Sequence, residues 1–428
     1  MVILSAFRRI LIVIMMCCGI IASVSEGQDT VYDVPGTIAY IGTDYNIATF
    51  DLRAGQVSVL TDDASRTRRY QWPTWANDGR LAYFCCDPSG GQPFTQIFIS
   101  DDGLSSGDLR HVAPNTVFNH ASWSPRHCDA SDDCRDLAVL LSIIDRNTLS
   151  VDIIRDGDDD AGPVRVGLGA PFYYSWSPDG GRLLTQRDVR RLDVFDLASG
   201  SSEQLPYAPG FFPAPHWSPV DDRLLVGVLN DGATDLAIIA NEQVRVLRST
   251  LRGELSFNWS PSGDYVAYRT VDNDSASDLI VIDAVTGELV TQTDDSAFAF
   301  FWSPDSRLLA YVTIATPPGT FNIAHTPASS DLIQRVQEDG LRWSVLDVAT
   351  GQTRNYGSFI PTADMIYLLL YFNQFAQSHS IWSPDSSHIV FGEVLAEGRR
   401  TVSILDTTRR DAVPFAIADG LVGVWSYR

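Results

Sequence analysis

The chain has 428 residues, 45% of them hydrophobic, with 10 Trp, 15 Tyr, 31 Gly and 22 Pro, and a formal net charge of −22. Such a charge repels phosphate backbones and anionic lipid heads, which argues against nucleic-acid binding and points to cations or basic protein patches as partners. Many aromatics with many Gly and Pro favour short strands and tight turns over helices.

The first residues read as an export leader over residues 1–27. Arg8 and Arg9 supply a basic start, and Ile10 to Ile21 is an apolar run too short for a comfortable membrane span. Small residues from Ala22 onward allow cleavage before about Gly27; an uncleaved anchor, or a lipid attached at Cys17 or Cys18, are the alternatives. No later stretch reaches the ~18 apolar residues a spanning helix needs. Beyond the leader remain Cys85, Cys86, Cys128 and Cys134. An even number in an exported chain predicts disulfides, with Cys128 bridging Cys134 or else Cys85 or Cys86. Their spacing does not match the paired CxxC ligands of a zinc site.

A repeat runs along the rest. Trp75-Ala-Asn-Asp-Gly79 is its first copy. The motif returns at Trp123, Trp176, Trp217, Trp259, Trp302 and Trp382, mostly as Trp-Ser-Pro with Asp or Ser next, and ends at Trp425-Ser426. The copies stand roughly 41 to 53 residues apart, except for a gap of about 80 between Trp302 and Trp382. Pro fixes the first turn position, Asp or Ser tolerates the second, and Gly permits a positive φ before the next strand. Each Trp is a plate that fills the space between neighbouring sheets. A second signal recurs at Asp51, Asp196, Asp283 and Asp347. Each ends an apolar run and is followed four residues later by Gly, as in a hairpin with a left-handed Gly. Each unit therefore holds four strands, the signature of a propeller blade. Residues 37–60 supply the last three strands of a unit and Leu421 to Tyr427 supply the first. The expectation is an all-β propeller over residues 37–428, with about eight four-stranded blades and the ring closed by the two terminal segments sharing one blade.

On these residues the chain resembles the TolB-like, WD40-like propeller repeat family, over nearly all of residues 37–428. The resemblance implies the fold; it implies little about activity, because propellers host many unrelated functions.

Candidate chemistry is sparse. Gly103-Leu-Ser105-Ser-Gly107 fits a nucleophile elbow in letters, but it follows Ile97–Asp101 as a hairpin turn with no helical pattern after it. His120, His216 and His379 precede motif Trp residues with shared strand parity. They are either packed between blades or part of a metal or ligand site in the channel. Asp156, Asp158, Asp159 and Asp160 surround Gly157 and could bind Ca²⁺, although an EF-hand's bidentate Glu is missing. The alternative is a solvated hairpin tip, and Asp272, Asn273, Asp274 and Asp278 form a weaker cluster. An insertion spans about 315–339, with a short helix over Leu332–Glu338. Ala363 to Gln377 contains Met365-Ile-Tyr-Leu-Leu-Leu-Tyr-Phe372, to be either packed core or an exposed partner patch.

The expectation for function is a non-catalytic binding or scaffold module, monomeric, outside the cytoplasm: periplasmic, secreted or at the cell surface. No cofactor is expected other than Ca²⁺ at the Asp cluster, and the partner is a protein or small ligand. The alternatives are a propeller enzyme of lactonase, lyase or glycosidase type, and a carbohydrate or small-ligand sensor that stacks sugar on Tyr173, Phe211 or Phe212.

Overall fold

A computed structural model describes residues 33–86, 91–125, 136–155, 162–272, 275–315, 336 and 338–428. The expected leader, Cys128, Cys134, Asp156, Asp158, Asp160 and most of the 315–339 insertion lie outside these residues. Among the described residues no helix is long and apolar enough to cross a membrane.

The Trp motif builds its corner through its serine as well as its proline and glycine. Ser177, Ser303 and Ser383 each donate to the Asp two residues on, at 2.6 Å for Ser303–Asp305 and Ser383–Asp385. The same hydroxyl accepts the backbone N–H five residues on, at 2.9 Å from Arg182, Leu308 and His388. One side chain thus ties the end of one strand to the start of the next. The Asp-to-Gly hairpins form as expected. Gly200, Gly287 and Gly351 have φ near +70° and donate to the carbonyls of Asp196, Asp283 and Asp347. Each of those Asp carboxylates accepts a backbone N–H three residues on.

These corners link meandering antiparallel sheets. The first complete one orders Tyr70–Trp75, Leu81–Cys85, Phe94–Ser100 and Asp108–Pro114. Strands ending in Trp123, Trp176, Trp217, Trp259 and Trp302 begin the following ones. The apolar residues of facing sheets interlock, as where Phe84 stacks on Phe118 at 3.8 Å.

The sheets number seven, not the eight expected. The last one has six strands, because Phe415–Trp425 is a single strand of 11 residues. Its first part pairs with Arg400–Asp406, and its second part pairs with Thr37–Gly42, placing Ile38 opposite Trp425. The outer strand of the seventh unit and the closing strand of the ring are therefore one element. The strand passes between the two pairings at Gly420, where a Cβ would come within 2.8 Å of the Ile41 carbonyl oxygen. Closure by the terminal segments is as expected: the order runs Phe415–Trp425, Thr37–Gly42, Ile47–Asp51, Gln56–Val59.

Candidate ligand site at one mouth of the channel

The apolar run at 363–377 is packed, not an exposed patch. It forms helix α1 (Ala363–Leu370) and a short turn of helix α2 (Phe372–Phe375), with Met365, Leu368, Leu369, Phe372 and Phe375 buried. Thr362 caps α1 by accepting from Met365 N at 3.2 Å and donates to the carbonyl of Leu421 on the closing strand.

The segment is a plug pinned to the innermost strands. Gln374 Oε1 accepts from Tyr174 N at 3.1 Å, and its Nε2 donates to Tyr174 O at 2.8 Å. One carboxamide thereby satisfies both backbone groups of a strand edge with no neighbouring strand there. Asn373 Nδ2 reaches Ser256 Oγ at 3.4 Å, and the Asn373 carbonyl accepts from His216 Nε2 at 3.1 Å. Phe372 packs on Phe300, and Phe375 on Trp72.

The three histidines noted in the sequence all touch this plug but do not converge on one point. Thr74 Oγ1 donates to Trp72 O, so it accepts from His379 Nε2 at 3.2 Å. His379 Nδ1 then accepts from Ser378 Oγ at 2.7 Å, and Ser378 Oγ accepts from His120 Nε2 at 2.8 Å. His120 Nδ1 lies 3.2 Å from the Tyr174 hydroxyl. The Tyr174 hydroxyl itself donates to Ala138 O at 2.9 Å. The bonds of His379 fit a neutral imidazole, and burial favours that form in all three rings: His216 and His379 are pushed down to about 3, and His120 falls well below its usual value. His216 stands apart on the Asn373 carbonyl.

The plug leaves a blind cup of about 460 Å³ at the mouth where the Trp-Ser-Pro corners gather. Trp and Pro residues of the repeat form its collar, and Gln374, Ala376, Gln377 and His379 of the plug form its floor. Among the described residues, no Asp, Glu, Lys, Arg or Cys lines it. Asn258, 4% exposed, belongs to the lining; its amide nitrogen and oxygen are closed off from solvent and, among the described residues, have no hydrogen-bond partner, as is true of the indole nitrogens of Trp217, Trp259 and Trp302. In the sequence Asn258 is only one polar letter before Trp259. The same position holds Thr74, Ser122, Ser175 and His216 in other copies, but Phe301, Ile381 and Val424 in the rest.

The channel's other side offers a different chemistry. Burial raises the Glu254 carboxyl, which the positive charge of Arg269 opposes, while burial lowers Arg269 to about 10. Tyr173 feels the Glu254 charge and is itself raised by burial.

Of the remaining expectations, Ser105 sits in a turn and donates to Asp102 Oδ1 at 2.8 Å, and the strand Asp108–Pro114 follows directly. No strand-to-helix elbow exists there. Cys85 and Cys86 are bonded to each other, so neither is the partner expected for Cys128. Phe212 is buried and Phe211 exposed, so only the latter presents a free aromatic face. Among the described residues no group of three His, Cys, Asp or Glu is placed to hold a metal.

No family model matches the chain, and no curated protein matches it. Among solved structures it is similar to TolB from Acinetobacter baumannii, at 15% identity and a TM-score of 0.38, covering 69% of this chain and 80% of that one. It is also similar to a prolyl endopeptidase structure, at 13% identity and a TM-score of 0.50, covering 84% of this chain and 50% of that one. An oligogalacturonate lyase in complex with manganese matches at 13% identity and a TM-score of 0.46, covering 87% and 96%. At such identities the likeness is one of fold, and the fold is the β-propeller that the repeat implied.

Proposed function

We propose that this chain is an exported, non-catalytic β-propeller that holds a ligand in the cup at one mouth of its channel. The observation that carries this reading is the cup itself: closed below by the chain's own plug and lined by uncharged side chains. Acid–base or metal chemistry needs titratable groups poised at the reacting atoms. The cup's histidines are instead committed to holding the plug. A volume of about 460 Å³ suits a small molecule or a short chain end. Export is supported by the Arg8-Arg9 start with its apolar run and by the Cys85–Cys86 bond, which persists best in an oxidising compartment.

Affinity selection tests this reading. The mature protein is equilibrated with pooled small metabolites, glycans and short peptides, and retained compounds are identified by mass spectrometry. Wild type should retain compounds that Asn77→Trp, which fills the rim, releases. Turnover of a retained compound would overturn the non-catalytic reading. Glu254 favours a catalytic alternative, since burial gives it the raised carboxyl of a general acid. In that case turnover would survive Asn77→Trp, which fills the cup, and be abolished by Glu254→Gln.

A further inference from the structure

The side chains around the cup have little polar capacity left for a ligand. Gln374 spends both amide atoms on Tyr174, Ser175 Oγ accepts from Trp217 N at 2.9 Å, and Ser380 Oγ donates to Trp382 O at 2.9 Å. The Tyr427 hydroxyl donates to Ser378 O at 2.9 Å, so this exposed residue turns its one polar side-chain atom onto the plug. His216 and His379 are likewise bonded to the plug or within it. The amide of Asn258 and the indole nitrogens of Trp217, Trp259 and Trp302 are closed off from solvent, so a molecule in the cup would not meet them. That leaves chiefly Gln377, whose Nε2 already donates to Asn373 O, and Asn77 at the rim.

The surface that the cup does present is mostly carbon. Pro125, Pro219, Pro261 and Pro304 line it and are exposed, and Pro178 is half-buried. Trp302 is half-buried, whereas the other motif tryptophans of the lining are buried. Ala376 offers a methyl group on the floor. Water held in such a place finds few of the two to four polar partners it needs, so its release into bulk favours an apolar occupant. A carboxylate, phosphate or sulfonate would give up its hydration with no counter-charge on the lining, in a chain whose net charge of −22 repels it. An ammonium group would find no carboxylate there. A sugar would trade the hydration of its hydroxyls for pyrrolidine carbon. An uncharged ring system loses little hydration and packs on the pyrrolidine and indole rings.

Resting on the binding reading above, we propose that the cup takes a neutral, ring-bearing apolar molecule, an aromatic or alicyclic compound small enough for its volume of about 460 Å³. The pyrrolidine collar and Trp302 pack against it, and Ala376 lies beneath it.

The test titrates the mature protein with N-phenylnaphthylamine, a neutral probe that brightens in apolar surroundings. Anilinonaphthalenesulfonate, the same ring framework carrying one negative charge, and maltose serve as comparisons. The readouts are probe fluorescence and calorimetry. The neutral probe should bind saturably, and its sulfonate at least about tenfold more weakly. Ala376→Trp, which raises the floor into the cup, should weaken the neutral probe at least about tenfold; should that variant not fold, Asn77→Trp at the rim serves. Gln377→Leu, which removes a polar group from the lining at similar size, should hold or tighten the binding. A tenfold loss in that variant would show that a polar contact carries the site and overturn the proposal. So would probe binding that neither tryptophan substitution changes, which would place the site elsewhere. Maltose binding that Asn77→Trp abolishes, with no neutral probe bound, would reject the apolar class and leave the binding reading standing. Retention of nothing in the titrations or in the affinity selection would defeat both.

Discussion

The indole Nε1 of Trp75 donates to the backbone carbonyl of Val424 at 3.3 Å, across 349 residues of chain. The bond belongs to a series. Trp123 donates to Thr74 O, Trp176 to Ser122 O and Trp382 to Phe301 O, each to the residue before the previous motif Trp. The indole nitrogens of Trp217, Trp259, Trp302 and Trp425 make no such bond among the described residues, so the join between the C-terminal strand and the first full sheet has a contact that only some of the other junctions share.

Weakening that join should show in stability. Trp75→Phe keeps most of the plate but loses the donor, and should cost about 1 kcal/mol. Trp425, fully buried, should cost about 3–5 kcal/mol as Trp425→Ala. Deleting Gly420 to Arg428 should cost more and add aggregation, because it bares the edge of Thr37–Gly42. Denaturant unfolding measures all three. A truncated chain that melts with the full-length protein would mean that the closing strand does not carry the ring.

Removal of the plug's grip should be felt at a distant strand. Gln374→Leu leaves the N–H and C=O of Tyr174 buried and unpaired, at about 1–3 kcal/mol for each group. Amide exchange at Tyr174 should accelerate more than at Leu183, whose strand pairing is untouched. Equal protection in wild type and variant would show that the plug is not what holds that edge.

The buried histidines should make stability fall in acid. His216 is neutral in the fold with a value near 3, against 6.5 unperturbed. The unfolded chain therefore binds the proton first. The contribution is complete above about pH 6.5 and is lost as pH falls toward 3, at about 1.4 kcal/mol per pH unit. Glu254, Glu393 and Asp364 are raised by burial and act in the opposite sense. The difference between wild type and His216→Gln isolates the histidine. Parallel stability profiles from pH 7 to 4.5 would contradict its burial as a neutral ring.

The cysteine pairing is open to direct chemistry. A peptide spanning Cys85 and Cys86, released without reduction, should resist alkylation and lack two hydrogens relative to its reduced form. Alkylation of both in the unreduced, denatured protein would refute the bond.

Much of the architecture was legible because its signals are local. Trp-Ser-Pro-Asp-Gly specifies a corner in five residues, and Asp with Gly four residues later specifies a hairpin. The sheet count was not legible, since two expected strands run on as one through Gly420, and no turn residue marks the difference between a boundary and a passage. The helix at 363–370 could be read as buried from its apolar run, but not as a plug. Its partners Tyr174 and Ser256 are far away in sequence, and a Gln facing a strand edge leaves no pattern. The shared parity of His120, His216 and His379 was a true hint of a common neighbour, which is the plug. Asn258 stands out only once the wall around it can be seen to offer it nothing.

The strand Phe415–Trp425 also sets an order of events. A chain that emerges from its N-terminus releases residues 37–59 long before the strand that completes their sheet. Until then Thr37–Gly42 has an unpaired edge and the channel has no finished wall. Contacts of such long sequence separation form slowly, and the waiting intermediate is open to aggregation. The plug at 363–375 emerges only shortly before the closing strand and bonds to it through Thr362 and Leu421. Filling of the channel and sealing of the ring thus come close together, and a chain stalled before residue 363 would have neither.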